Sequence, residues 1–214
     1  MPDPNPVSRP SFRPPGPGFA ALRLKLVRVR GEFLRIHHQD FRAIYFSRAG
    51  KSRWDPPSGP FGALCVGTSL AGIVQERFGD QLRGNGKFLT DEKTSTYTVT
   101  RLLMSPAVTV ADIRGPELFH INADAQLFSG SYDVSQMWSA AFMRHRQKPA
   151  GVLYNSRHNP KKTNLVLFDR PGVKKSLSEL DHCSLKDYPS FRATLRLLRI
   201  AVAPKTTTPS EPRS

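Results

Sequence analysis

The stretch that most limits what this chain can become is Ser52 to Gly79, S-R-W-D-P-P-S-G-P-F-G-A-L-C-V-G-T-S-L-A-G-I-V-Q-E-R-F-G. Pro56, Pro57, Gly59 and Pro60 set turns and forbid regular pairing, so the first half is a loop. Ala63 to Val66 is a short apolar run bounded by glycines, which predicts a buried strand rather than a helix. Thr68 or Ser69 can cap a following helix whose Leu70, Ile73, Val74 and Phe78 share one face. This unit carries a fixed cation, Arg53, near one end and a carboxylate, Glu76, near the other. Such a pair suits a phosphate-bearing ligand with a carboxylate at its reacting centre.

Charge narrows the choice of partner. Lys+Arg is 32 and Asp+Glu is 17, a formal net charge of +15. That excess favours polyanions: nucleic acid, an anionic membrane surface, nucleotides or an acidic protein. Two cysteines, Cys65 and Cys183, cannot build a disulfide framework or a zinc site by themselves, so a reducing cytosol is expected. The start, M-P-D-P-N-P-V-S-R-P, has no apolar signal core, and no run reaches the ~18 apolar residues of a membrane helix. The expectation is a cytoplasmic protein with no membrane partner.

Length allows one domain with a real core. Residues 1–18 are Pro-rich and read as a disordered arm, 19–203 as the folded domain, and 204–214 as a disordered tail. Ala20 to Arg30 alternates apolar and basic residues, and Phe33, Leu34 and Ile36 make a second strand candidate carrying Arg35. His37 and His38 point to opposite faces if extended, which works against a shared metal. Gln81 to Lys93 is polar and Gly-containing, read as a mobile connection. Thr94 to Met104 and Val108 to Ile113 read as strands, and Glu117 to Phe128 as helix or irregular structure. Val134 to Arg146 is the clearest amphipathic helix, with Asp133 as N-cap and Met137, Trp138, Ala141 and Phe142 at core spacing. Gly151 to Tyr154 and Asn164 to Phe168 are strands joined by the polar loop N-S-R-H-N-P-K-K-T. Ala193 to Val202 suits either helix or strand.

Mixed strands with few helices predict an α+β fold. No G-x-x-x-x-G-K-[ST], G-x-G-x-x-G, G-x-S-x-G, H-E-x-x-H or C-x-x-C occurs, which removes the usual P-loop, dinucleotide-fold, hydrolase-elbow and zinc readings. Taken singly, Glu76, Arg53 and Ser156 are ordinary as solvated charges and a turn residue.

Four stretches in order change that reading: F-L-R-I-H-H; S-R-W-D-P-P-S-G-P-F-G-A-L-C-V-G-T-S-L-A-G-I-V-Q-E; S-Y-D-V-S-Q-M-W-S-A-A-F; and G-V-L-Y-N-S-R-H-N-P-K-K-T-N-L-V-L-F. Together they resemble the RES-domain family, named for an Arg, a Glu and a Ser, which includes NAD-degrading toxins of bacterial toxin–antitoxin pairs. The resemblance implies a single domain similar to the ADP-ribosyltransferase fold, with NAD as substrate and no further cofactor or metal. Arg53, Glu76 and Ser156 match the naming triad, and Arg35 the earlier Arg. Cys65 stands where the family usually has a Tyr; if that Tyr packs on the nicotinamide, its loss here would weaken NAD binding, change the substrate or leave the protein inactive. Tyr45, Trp54 and Phe61 are the aromatic residues that could take its place.

In the chemistry this implies, Glu76 stabilises the positive charge that develops on ribose as nicotinamide departs, or orients a water. Arg53 and Arg35 grip the pyrophosphate, and Ser156 orients ribose or Glu76. The reading is an NAD glycohydrolase toxin held by a cognate antitoxin that covers the site. Its alternatives are a mono-ADP-ribosyltransferase using the same site and a non-catalytic nucleic-acid-binding module using the basic surface.

Overall fold

The computed structural model describes residues 13–84 and 87–203. Its elements are β1 (Leu26–His38), β2 (Ala63–Gly67), α1 (Leu70–Phe78), α2 (Gln81–Gly84), β3 (Phe88–Thr90), α3 (Asp91–Thr96) and β4 (Tyr97–Asp112). There follow α4 (Pro116–His120), α5 (Gln126–Ser129), α6 (Tyr132–Arg144), β5 (Gly151–Ser156), β6 (Asn159–Phe168), β7 (Leu177–Ser184), α7 (Phe191–Leu198) and β8 (Ala201–Ala203). The fold is α+β, and no described helix is long and apolar enough to cross a membrane.

Two long strands organise the main sheet, and each fuses what the sequence suggests are separate pieces. In β1 the two candidates run together through Gly31, whose φ of +106° absorbs a register shift against β4. A side chain there would meet the left-handed penalty, so glycine is what lets one strand bend instead of breaking in two. β4 spans both strand candidates between residues 97 and 112, while Thr94 to Thr96 belong to α3, capped by the Thr90 hydroxyl. β7, LSELDHCS, escapes sequence reading because its middle residues are exposed and show no alternation. The expected connection Gln81 to Lys93 carries α2, β3 and the start of α3, with residues 85–86 outside the described residues.

The strand order is β1-β2-β6-β5-β4-β7, and β1 also pairs with β4, so five strands close on themselves. Leu64 and Val66 of β2, Leu102 and Val110 of β4, Leu153 of β5 and Leu165 and Leu167 of β6 share one buried cluster. Each such side chain contributes about 1.5–3 kcal/mol on burial. The opposite face of β2, β6 and β5 presents Ala63, Val166, Phe168, Val152 and Tyr154 to Trp138, Ala140 and Phe142 of α6. A third cluster joins α1, α7 and Leu89 of β3.

α6 begins at Tyr132 after Ser131, not at Val134 after Asp133, and ends at Arg144. Trp138 is buried as expected, but Met137 is 47% exposed, turned away from the sheet toward the Pro-rich segment. Residues 1–12 of the expected arm and the tail from 204 lie outside the described residues. Arg13 to Gly18 run along α6, where the Trp138 indole N–H donates to the Arg13 carbonyl at 3.0 Å. Phe19 then inserts edge-on against Trp138, Phe142 and His145.

His145 at the end of α6 is buried, with no hydrogen-bond partner for Nε2 among the described residues, and burial holds its pKa below the ordinary value. The folded chain therefore binds fewer protons here than the unfolded chain. Its stability contribution is complete above about pH 6.5 and is lost as pH falls toward the lowered folded value. Compared with His145→Gln, the wild type should lose urea midpoint as pH falls from about 7.5 to about 5; the same pH dependence in both proteins would remove His145 as the cause.

Candidate active site

The site starts where β2 hands the chain to α1. The Ser69 hydroxyl accepts from the Gly72 N–H at 3.3 Å, starting α1, and its apolar face (Leu70, Ile73, Val74, Phe78) is buried as the spacing predicts. Gly67 at the end of β2 has no room for a side chain: a Cβ would lie 2.5 Å from Ile73 Cγ2 and 3.2 Å from Asn164 Oδ1. That close approach seats α1 on the sheet and brings Glu76, two turns along, over the strands.

Pairing of Gly67 with Asn164, and of Asn164 with Tyr154, lays one row across β2, β6 and β5. Ser156 lies two residues beyond Tyr154 in β5. All three polar side chains of this row and its neighbour donate to Glu76: Tyr154 Oη to Oε1 at 3.3 Å, Asn164 Nδ2 to Oε2 at 3.0 Å, and Ser156 Oγ to Oε2 at 3.3 Å. Ser156 Oγ also accepts from the His158 N–H at 3.3 Å, which fixes its orientation.

Burial raises the Glu76 pKa, while the hydroxyls of Ser156 and Tyr154 and the cations Arg157 and Arg53 oppose the rise. Desolvation wins. The Tyr154 hydroxyl is pushed well above its usual value, again by burial first and Glu76 second, so it stays a donor. The Cys65 thiol lies in the same wall, and burial beside Glu76 pushes it up to about 12. It is a neutral side chain at physiological pH, not a thiolate nucleophile.

Arg53 arrives from a loop that α6 holds in place. Gln136 Nε2 donates to the carbonyls of Gly50 and Ser52 at 2.8 and 3.0 Å, and Ser139 Oγ donates to the Trp54 carbonyl at 2.6 Å. Buried Asp55 accepts from the N–H groups of Lys51 and Ser52, both at 3.1 Å, and from Ser47 Oγ at 2.9 Å. Arg53 itself donates through Nη1 to the Gly130 carbonyl and Ser135 Oγ, both at 2.8 Å, and lies 4.8 Å from the Tyr132 ring centroid. Burial lowers its pKa, with Arg157 nearby adding to the effect.

These parts surround a cavity of about 200 Å³. Arg53, Trp54, Tyr154 and Asn164 form its buried wall with the half-buried Cys65 and Glu76 among them, and Lys51, Arg77 and Asp80 its exposed rim. Of the residues singled out from sequence, the structure brings Arg53, Glu76 and Cys65 to one cavity, with Ser156 behind Glu76 as its hydrogen-bond donor. Arg35 is turned aside: its Nη1 donates to the carbonyls of Ala43 and Tyr45 at 2.5 and 3.0 Å, and burial lowers its pKa to about 10. It does not line the cavity, although its neighbour Ile36 does. Of the aromatic candidates, Trp54 lines the cavity, Phe61 packs on Phe168, and Tyr45 stacks on Phe41 at the surface.

Tyr154, Asn164 and Arg157 were not singled out. The first was readable from the two-residue period it shares with Ser156, and the second from its place as the polar residue heading the apolar run L-V-L-F. Among the described residues no cluster of three His, Cys, Asp or Glu side chains is placed to hold a metal ion.

The site is thus a carboxylate gripped by neutral donors in a small cavity with a cationic wall, on a closed mixed sheet. The RES-domain model matches residues 25–187, and the chain belongs to the RES-domain family. Its fold is similar to that of a chain in the crystal structure of the M. tuberculosis MbcT–MbcA toxin–antitoxin complex, with a TM-score of 0.59 and 15% identity over 78% of this chain and 92% of that one. At that identity the likeness is one of fold. No curated protein matches by sequence.

A carboxylate whose pKa is raised on folding contributes stability below its unfolded value and loses it as pH rises through the folded one, so at neutral pH the buried charge is a cost. Glu76→Gln should therefore raise the melting temperature at about pH 7 relative to wild type, with the gain shrinking toward about pH 4. A lower melting temperature at neutral pH would show that the three donors outweigh burial.

Proposed function

We propose that the protein is a toxin-type NAD glycohydrolase working in the cytoplasm. The observation that carries this reading is the desolvated Glu76 carboxylate, aimed by Tyr154, Ser156 and Asn164 into a cavity whose wall includes Arg53. In the reaction, the bond between ribose C1′ and the nicotinamide nitrogen breaks, and its electron pair leaves with the ring. The ribosyl centre becomes positive, and Glu76 stabilises that charge without reorganising, because its donors already hold it. Water adds to C1′ and loses a proton, giving ADP-ribose. Ser156, fixed by the His158 N–H, keeps one carboxylate oxygen in register while the other faces Tyr154.

Cys65 leaves the wall without the family's aromatic residue, and Trp54 and Tyr154, packed 5.0 Å apart by ring centroids, supply aromatic surface beside it. Those two rings would flank the nicotinamide. By family and by its fold relation to a chain of a toxin–antitoxin complex, the protein would be held inactive by a cognate antitoxin covering the cavity.

The test is NAD consumption by purified protein beside Glu76→Gln, reading nicotinamide and free ADP-ribose separately. Equal release of both, reduced about 10²–10³-fold by the substitution, is expected. Nicotinamide without matching ADP-ribose would mean transfer to an acceptor, and no turnover by a folded wild type would sink the enzymatic reading.

A further inference from the structure

We propose that Arg157 and Asp80 form an exchangeable anion latch at the mouth of the cavity, in which the diphosphate of the ligand displaces the Asp80 carboxylate from the Arg157 guanidinium. The choice of ligand rests on the NAD reading above; the latch itself rests on geometry.

Space comes first. Pockets that enclose a drug-sized ligand measure about 300–1,000 Å³, and this cavity is about 200 Å³. It accommodates one end of a dinucleotide, so a pyrophosphate attached to that end must lie at the mouth. The mouth is where the charged rim stands.

Donors come next. The two arginines assigned to the pyrophosphate from sequence are both engaged in holding the protein. Arg35 serves the Ala43 and Tyr45 carbonyls and does not line the cavity. Arg53 spends Nη1 on the Gly130 carbonyl and Ser135, with Tyr132 under its plane. Arg157 is different: it lines the cavity, its side chain is only 14% exposed, and among the described residues its ion-pair partner is Asp80.

That partner is built to leave. Asp80 follows α1 at the rim, and its side chain is 58% exposed. A carboxylate that exposed regains water on release, so little is lost when the pair opens. The guanidinium it leaves stays half-enclosed, and its planar fork matches two phosphate oxygens better than one mobile carboxylate. Asp80 occupies the place at the Arg157 fork that a phosphate would take.

The fork is also aimed. Arg157 Nε donates to His158 Nε2 at 3.1 Å. The His158 ring in turn lies so close to Gly79 that any Cβ there would collide with it. The same hairpin tip thus sets Ser156 behind Glu76 and Arg157 beside it, placing the anion grip one residue from the support of the reacting centre.

The experiment titrates inorganic pyrophosphate and ADP-ribose into wild type, Arg157→Gln and Asp80→Asn by calorimetry, alongside NAD kinetics on each. Arg157→Gln should weaken pyrophosphate about tenfold to a hundredfold and raise the KM for NAD more than it lowers kcat. Asp80→Asn should tighten pyrophosphate severalfold and lower KM, and it carries the test if Arg157→Gln does not fold. Pyrophosphate affinity unmoved by both substitutions overturns the latch. If NAD is never turned over but pyrophosphate binding keeps this dependence, the catalytic reading falls and the latch stands. Turnover with a KM indifferent to both changes leaves the reaction and removes the latch.

Discussion

Burying a carboxylate beside a sheet is the constraint that the rest of this structure answers. A charge taken out of water costs free energy unless donors replace the lost hydration. Glu76 recovers part of it from Tyr154, Ser156 and Asn164, drawn from two neighbouring strands. That requires β5 and β6 to pair in one register, and it requires α1 to sit low enough to reach them. Gly67 provides the second, since a methyl group there would push Ile73, and with it α1, off the sheet. A slip of one residue in the hairpin would put Asn164 of β6 on the opposite face from Tyr154 and Ser156 of β5.

The cationic side of the cavity has a separate origin. Arg53 lies in a loop broken by prolines, which has no ladder of its own to fix it. Polar residues of α6, namely Ser135, Gln136 and Ser139, are buried against that loop and take up its carbonyls and the Arg53 fork. Buried polar groups that find partners confer a unique arrangement as much as stability. α6 therefore has two jobs: Trp138 and Phe142 close the core, while the serines and the glutamine position the loop.

Pattern reading reached those elements whose burial is one-sided. The β2–α1 unit, its buried face and its serine cap follow from alternation, periodicity and capping preference, and the structure has them where the sequence places them. It missed β7, whose exposed residues show no period, and it split β1 and β4 where a bulge at Gly31 and tertiary pairing keep each strand whole. In α6 the apolar stripe is legible, but nothing in the sequence marks Ser135, Gln136 and Ser139 as buried. Polarity predicts exposure only when no partner is waiting inside.

By itself the chain determines its family, its α+β character, and that an arginine, a glutamate and a serine stand in a fixed order along a loop, a helix and the connection between two strands; that Ser156 still belongs to β5 is decided by pairing with β6. Those properties are local or serial, so residue identity and spacing suffice. Tertiary structure alone decides which of these side chains meet. It sends Arg35 to the backbone of residues 43 and 45, sets Ser156 behind Glu76, and recruits Tyr154, Asn164 and Arg157. The reason is that contact between β2, β5, β6 and α1 depends on strand register and helix seating. Both are settled by packing between segments some 80 residues apart, such as Glu76 and Ser156.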